Sequence, residues 1–135
     1  MTGARPLRPF RFLAGATGAV DGRTLAERAR RAEAIGYSAL VIPDHLLDQA
    51  APIAQLATIA AATDRLRVGT FVFNNDLRHP AVLAQELASL DVLSGGRVEI
   101  GIGAGWNRPE YDAIGLTFDP IGTRASIASR SRSRC

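Results

Sequence analysis

The feature that most narrows the fold is a recurrence of apolar, β-branched runs at intervals of about thirty residues, the length of one strand–helix unit. The runs are Phe10–Ala14, Ala39–Ile42, Leu66–Phe73 and Val98–Ile102. Segments of helical period lie between them. The first is expected to start at Thr24, with Glu27 as its capping-box partner, and to stop at Gly36. The second carries Pro52 in its first turn and ends around Thr63-Asp64. The third has Pro80 near its start and Gly95-Gly96 as its exit, and a short fourth spans 109–114 before Gly115. Strands alternating with helices imply a parallel sheet, because a parallel neighbour needs a crossover connection.

Two architectures meet that description. An open doubly wound sheet predicts a Gly-rich dinucleotide loop after the first strand, and Gly15-Ala16-Thr17-Gly18-Ala19 is no G-x-G-x-x-G. A closed barrel predicts polar or special residues at the C-terminal end of every strand, where the active-site rim lies. The four ends read Gly15-Ala16-Thr17, Asp44-His45, Asn74-Asn75-Asp76 and Gly103-Ala104-Gly105-Trp106-Asn107. The expected fold is α/β, the N-terminal half of a TIM-type (β/α)8 barrel. A full barrel takes about 250 residues, and this chain has 135. Residues 1–124 are read as the partial barrel domain. Residues 125–135 alternate Ser and Arg around one sizeable apolar side chain, Ile127. That stretch is expected to bury nothing as strand or helix, and to be a disordered or out-of-frame tail of a truncated chain.

Charge and cysteine usage exclude several function classes. All sixteen basic residues are Arg, and three of them, Arg130, Arg132 and Arg134, fall near the end. The remaining thirteen balance the thirteen acidic residues. No basic stripe with interleaved aromatics remains to track a nucleic acid. No stretch approaches the roughly 18 apolar residues of a membrane span. The run Phe12–Val20 has polar and Gly breaks and lacks a secretory pattern, so the cytoplasm is the expected location. The single cysteine, Cys135, is the last residue. It supplies no disulfide, and no metal-ligand cluster or P-loop accompanies it.

The rim residues carry the candidate chemistry. A histidine beside a carboxylate, His45 after Asp44, can exchange a proton near neutral pH. The alternative is that His45 merely bonds a neighbouring loop while Asp44 caps the next turn. Asn74-Asn75-Asp76 could hold the polar edge of a ligand ring, or simply make a turn and cap the third helix. His79 belongs to the start of that helix. Gly101, Gly103 and Gly105 suit a close approach to the backbone, either by a flat ring or by crowding inside a barrel. Trp106 is a packing lid or a stacking partner.

Several of these pieces together resemble the luciferase-like monooxygenase superfamily, particularly its branch using the deazaflavin coenzyme F-420. They are Ala32-Glu33-Ala34-Ile35-Gly36-Tyr37, Asp44-His45, Leu66-Arg67-Val68-Gly69-Thr70 and His79-Pro80. To these add Leu90-Asp91-Val92-Leu93-Ser94-Gly95-Gly96-Arg97, Gly101-Ile102-Gly103-Ala104-Gly105-Trp106 and Glu110-Tyr111. The resemblance covers about residues 10–124. It implies a barrel enzyme, a hydride-transferring oxidoreductase or monooxygenase, that holds F-420, or FMN as the alternative, over its strand ends and acts on a small-molecule substrate. It also implies that full-length relatives form homodimers. By the same resemblance His45 is catalytic with Asp44 orienting it, and Thr70, Phe73, Asn74, Asn75, Gly103, Ala104, Gly105 and Trp106 contact the cofactor. A non-prolyl cis peptide typical of the family would fall at about Phe73-Asn74-Asn75. Trp106 stands where some relatives that oxidise sugar phosphates or alcohols place a catalytic Glu, and Gln49 replaces a Trp of those enzymes. The other reading is an inactive truncated half-barrel that acts only by associating with a partner.

Overall fold

A computed structural model describes residues 9–18, 21–46 and 49–132, with side chains through residue 126. Three strand–helix units come first: β1 (Leu13–Gly15), α1 (Gly22–Ala34), β2 (Ala39–Ile42), α2 (Pro52–Ala62), β3 (Arg67–Thr70) and α3 (Pro80–Ser94). Between β3 and α3 lie a short strand β4 (Phe73–Asn74) and a 3-10 turn at Asn75–Leu77. The chain continues through β5 (Val98–Glu99), β6 (Ile102–Gly103), α4 (Arg108–Ile114) and α5 (Ile121–Arg132). Four strands form one parallel sheet in the order β1-β2-β3-β5, and β4 pairs with β6 in parallel as a second, two-stranded sheet. This is the parallel α/β arrangement expected of TIM-type relatives. Among the described residues no helix is long and apolar enough to cross a membrane.

Strand alternation sorts the core. Leu40 and Ile42 of β2 and Val68 of β3 face the helices, packing with Leu25, Ala29, Leu56, Ile59, Leu83 and Leu87. The residues that alternate with them along the strands, Ala39 beside Arg67 and Val41 beside Gly69 and Glu99, make the opposite, inner face. Near its lower end that face carries ions: Arg67 and Arg11 both pair with Glu99.

Punctuation residues act largely as expected. Pro52 and Pro80 open α2 and α3, and Gly95 closes α3 in the left-handed conformation. Three boundaries move for physical reasons. Helix α1 starts two residues before Thr24, because the Asp21 carboxylate accepts the Thr24 N–H at 3.0 Å and outcompetes a threonine cap. Strand β1 starts only at Leu13, where pairing with Ala39 begins, so Phe10 and Phe12 stay exposed. Helix α5 runs through residues 121–132, where the Ser/Arg stretch was expected to lack regular structure. Arg124, buried in its first turn, donates to the carbonyls of Ala104, Gly105 and Asp119 and lies 3.9 Å over the Phe118 ring. That anchor holds a segment whose Ala and Arg content suits a helix.

Two polar hubs tie the bottom of the units together. The Glu33 carboxylate at the end of α1 accepts the backbone N–H groups of Asp64, Arg65 and Leu66 at 3.1, 2.6 and 2.7 Å. The Arg65 bond above all lowers its pKa below the usual carboxylate value, against a smaller opposing effect of burial. A carboxyl depressed by folding stabilises above its unfolded pKa, and that gain is lost as pH falls through the folded one. Glu33→Gln is therefore expected to lower the thermal midpoint by about 2–5 °C at neutral pH. The gap should shrink toward pH 3, which parallel melts at the two pH values will check. The second hub is Arg97, the last residue of the Leu90–Arg97 motif. Its guanidinium reaches the carbonyls of Ser94, Leu66 and Ala60 and the Thr63 hydroxyl, at 2.6–3.0 Å. Asp91 accepts the Val98 N–H. The motif most specific to the resemblance is thus a joint between α2, α3 and β5.

Candidate functional site

The third apolar run does not continue as one strand. It leaves the main sheet after Thr70 and resumes at Phe73 in a new pairing, with Phe73 N–H bonded to the Gly101 carbonyl. Phe71 and Val72 lie between, joined by a non-prolyl cis peptide. This is two residues before the position expected. The step exposes Phe71 and turns Val72 toward the strand ends.

A cavity of about 320 Å³ opens there, near the lower end of the usual range for small-molecule sites. The ends of β2, β4 and β6 surround it. Its apolar lining comes from Pro43, Phe71, Val72, Ala104 and Trp106, and its polar lining includes His45, Asn74, Asn107 and Glu110. Of the residues expected against a ligand, Asn74, Ala104, Gly105 and Trp106 line this cavity. Thr70, Phe73, Asn75 and Gly103 do not. The break in alternation accounts for the positions of Thr70 and Phe73. Phe73 is fully buried in the core, the Thr70 hydroxyl turns to the Gly101 carbonyl, and Phe71 and Val72 take the facing positions.

The glycines answer to crowding. A Cβ on Gly103 would lie 2.5 Å from the Val72 side chain, and one on Gly101 would lie 2.8 Å from the Thr70 carbonyl oxygen. At Gly105 it would meet the Tyr111 hydroxyl at 2.3 Å. Bare backbone is what admits Val72 and Tyr111.

Asp44 and His45 are adjacent in sequence and engage different partners. Asp44, its side chain only 1% exposed, forms a two-pronged pair with Arg78 at 2.6 and 2.9 Å and accepts the Asn74 N–H at 2.9 Å. The expectation that Asp44 orients His45 is corrected. Its geometry is committed to Arg78 and to the start of the 3-10 turn, and that bonding raises the arginine's pKa further above its ordinary value. His45 instead meets Glu110 of α4, with Nδ1 2.7 Å from Oε1. The Glu110 side chain is 3% exposed and that of His45 30%. The Trp106 ring stands edge-on to the imidazole at 5.9 Å between centroids. The Asn cluster makes a turn, as one reading held: Asn74 caps it through the Asp76 N–H, while His79 rather than an Asn caps α3.

Tyr111 locks the far wall. It is fully buried, and its hydroxyl lies 2.9 Å from Asp76, 3.1 Å from Asn74 and 3.3 Å from the Ala104 carbonyl. Burial, more than any neighbour, raises its pKa, so it remains a neutral donor. Sequence reasoning did not assign Glu110, Asn107, Arg78, Phe71 or Val72 to the site. Glu110 and Tyr111 stood in one of the quoted motifs, and an acid–aromatic pair just after a rim glycine was the available signal. Among the described residues no group of His, Cys, Asp and Glu could hold a metal.

Residues 7–125 match the luciferase-like monooxygenase family. An F420-dependent glucose-6-phosphate dehydrogenase of Amycolatopsis mediterranei (strain U-32) is 38% identical over 91 residues, covering 62% of this chain and 27% of that protein. A 5,10-methylenetetrahydromethanopterin reductase of Methanolobus tindarius is 33% identical over 107 residues, covering 78% and 32%. Among solved structures, the coenzyme F420 dependent tetrahydromethanopterin reductase from Methanopyrus kandleri superimposes with a TM-score of 0.73 at 30% identity, over 80% of this chain and 30% of that one. The chain thus spans about a third of the length of these relatives. With a family match over nearly all its described residues, and a parallel sheet whose strand ends meet at one cavity, the chain belongs to the luciferase-like monooxygenase family.

Proposed function

We propose that this chain supplies the strand-end wall of an oxidoreductase site for a reduced deazaflavin, coenzyme F-420, with His45 as the proton-exchanging residue. The observation that carries the reading is one cavity with a His–Glu pair and a broad apolar surface on its walls, assembled from the ends of three strands. The lining fits a flat heteroaromatic ring: Phe71, Val72, Pro43 and Trp106 can cover its faces, and Asn74 and Asn107 can bond its polar edge. The bound cofactor would supply hydride chemistry. His45 would take up and return a proton at Nε2, Glu110 would fix its ring, and Trp106 would keep water off one side. The names of the relatives favour F-420, and FMN is the competing ring system. No cationic side chain lines the cavity among the described residues, so a phosphate would have to be gripped elsewhere.

Trp106 is the sole tryptophan and lines the cavity, so its emission reads the site directly. Titrating the 135-residue chain should give F-420-dependent quenching with a Kd weaker than ~100 µM, because one wall offers few contacts. Stronger quenching by FMN would overturn the deazaflavin assignment. No response to either would remove the reading, and submicromolar binding would refute the incomplete site. A second reading, a half-barrel working through association, draws on the outer edges of β1 and β5, which pair with no further strand among the described residues, and on the exposed Phe12, Leu13, Val92, Leu93 and Ile100.

A further inference from the structure

We infer that Glu110 is a positioning residue that holds neutral His45 in the Nδ1–H tautomer, so that Nε2 offers its lone pair to the cavity. The inference deepens the proposed site and rests on that reading for its use, though not for its test. Imidazole has two neutral forms, and its hydrogen-bond partner selects between them. An ionised carboxylate only accepts. Facing the ionised form of Glu110 with Oε1 at 2.7 Å, Nδ1 carries the hydrogen. No other described residue bonds the ring in competition. Asp44 is turned away onto Arg78 and the Asn74 N–H, and Trp106 meets the ring in a T-shaped contact. Nε2 has no hydrogen-bond partner among the described residues.

The placement of Glu110 suits a positioning role. It sits in the first turn of α4, almost wholly buried, and the Arg124 anchor and the Tyr111 hydroxyl fix the loop and helix on either side of it. It is the carboxylate partner that an acidic neighbour of His45 in sequence was expected to be, and it comes from 65 residues away. The consequence concerns the ligand. A histidine that presents a lone pair receives a donor, an O–H or an N–H. On transfer the donor's bond to hydrogen breaks, the Nε2–H bond forms, and the positive charge of the ring falls beside Glu110. The ligand class is thus one that brings a hydrogen-bond donor to Nε2.

The chain carries its own control, because it has only two histidines. His79 Nδ1 accepts the Ala81 N–H, which requires the opposite tautomer, Nε2–H. Imidazole nitrogen chemical shifts of the 15N-labelled chain, recorded well above the ordinary imidazole pKa, should show His45 as Nδ1–H and His79 as Nε2–H. In Glu110→Gln, whose amide can accept or donate, His45 should become a mixture of both forms. Glu110→Asp should retain Nδ1–H, and His79 should not change in either variant. An Nε2–H His45 in the unaltered chain would overturn the inference, as would an unmoved tautomer in a folded Glu110→Gln. If that variant does not fold, the unaltered spectrum decides alone. Loss of cofactor binding leaves these shifts untouched, so the two proposals fail separately.

Discussion

Arg78→Met is expected to destabilise the chain by about 3–5 kcal/mol, the usual cost of stranding one member of a buried ion pair. The Asp44 side chain is 1% exposed and that of Arg78 19%, so Asp44 would lose its compensating charge with almost no access to water. Its second duty, accepting the Asn74 N–H, does not neutralise it. Most small domains have only 5–15 kcal/mol to lose. The urea midpoint should therefore fall steeply while the slope of the transition stays the same. Removing both charges in Asp44→Leu/Arg78→Met should restore part of the loss, but not all of it, because Asn74 N–H is left without an acceptor. A single-variant loss under 1 kcal/mol would show that water reaches the pair.

Arg97→Ala should cost about 2–4 kcal/mol by a different route. Arg97 bonds three carbonyls and one hydroxyl around the ends of α2 and α3. Helix C-termini leave carbonyls unsatisfied, and here one guanidinium serves those of Ala60 and Ser94 at once. Lysine cannot span them, since its donors radiate from a single nitrogen. Arg97→Lys should recover less than half of the loss. Hydrogen exchange would localise the damage to the last turns of α2 and α3, whereas Arg78→Met should loosen the rim around Asn74. Equal protection at both places in both variants would contradict the separation of the Arg97 joint from the Asp44–Arg78 pair.

Much of the architecture is written in local chemistry. Pro52, Pro80 and Gly95 mark helix ends because each restricts or frees its own backbone, and such effects need no tertiary partner. The parallel sheet follows from apolar runs spaced by helices. The step after Thr70 is not legible, since Thr70 is followed directly by Phe71, Val72 and Phe73, which suit a strand as well as Leu66–Thr70 does. What divides it is pairing: β3 lies between β2 and β5, and β4 joins β6. The site was half legible for the same reason. His45, Asn74 and Trp106 sit at strand ends, which spacing locates. The partners of Asp44 and His45 lie 34 and 65 residues away, and only the fold selects Arg78 and Glu110 over nearer charges. Helix α5 was missed because its burial comes from one arginine, and an apolar count does not register a guanidinium seated on carbonyls and an aromatic ring.

The charged cluster of Arg11, Glu99 and Arg67 on the inner face bears on how such a sheet can be assembled. A sheet face lined by ions tolerates water where a greasy one would stick to whatever passed. These units can therefore pack on one another while water covers that part of the face.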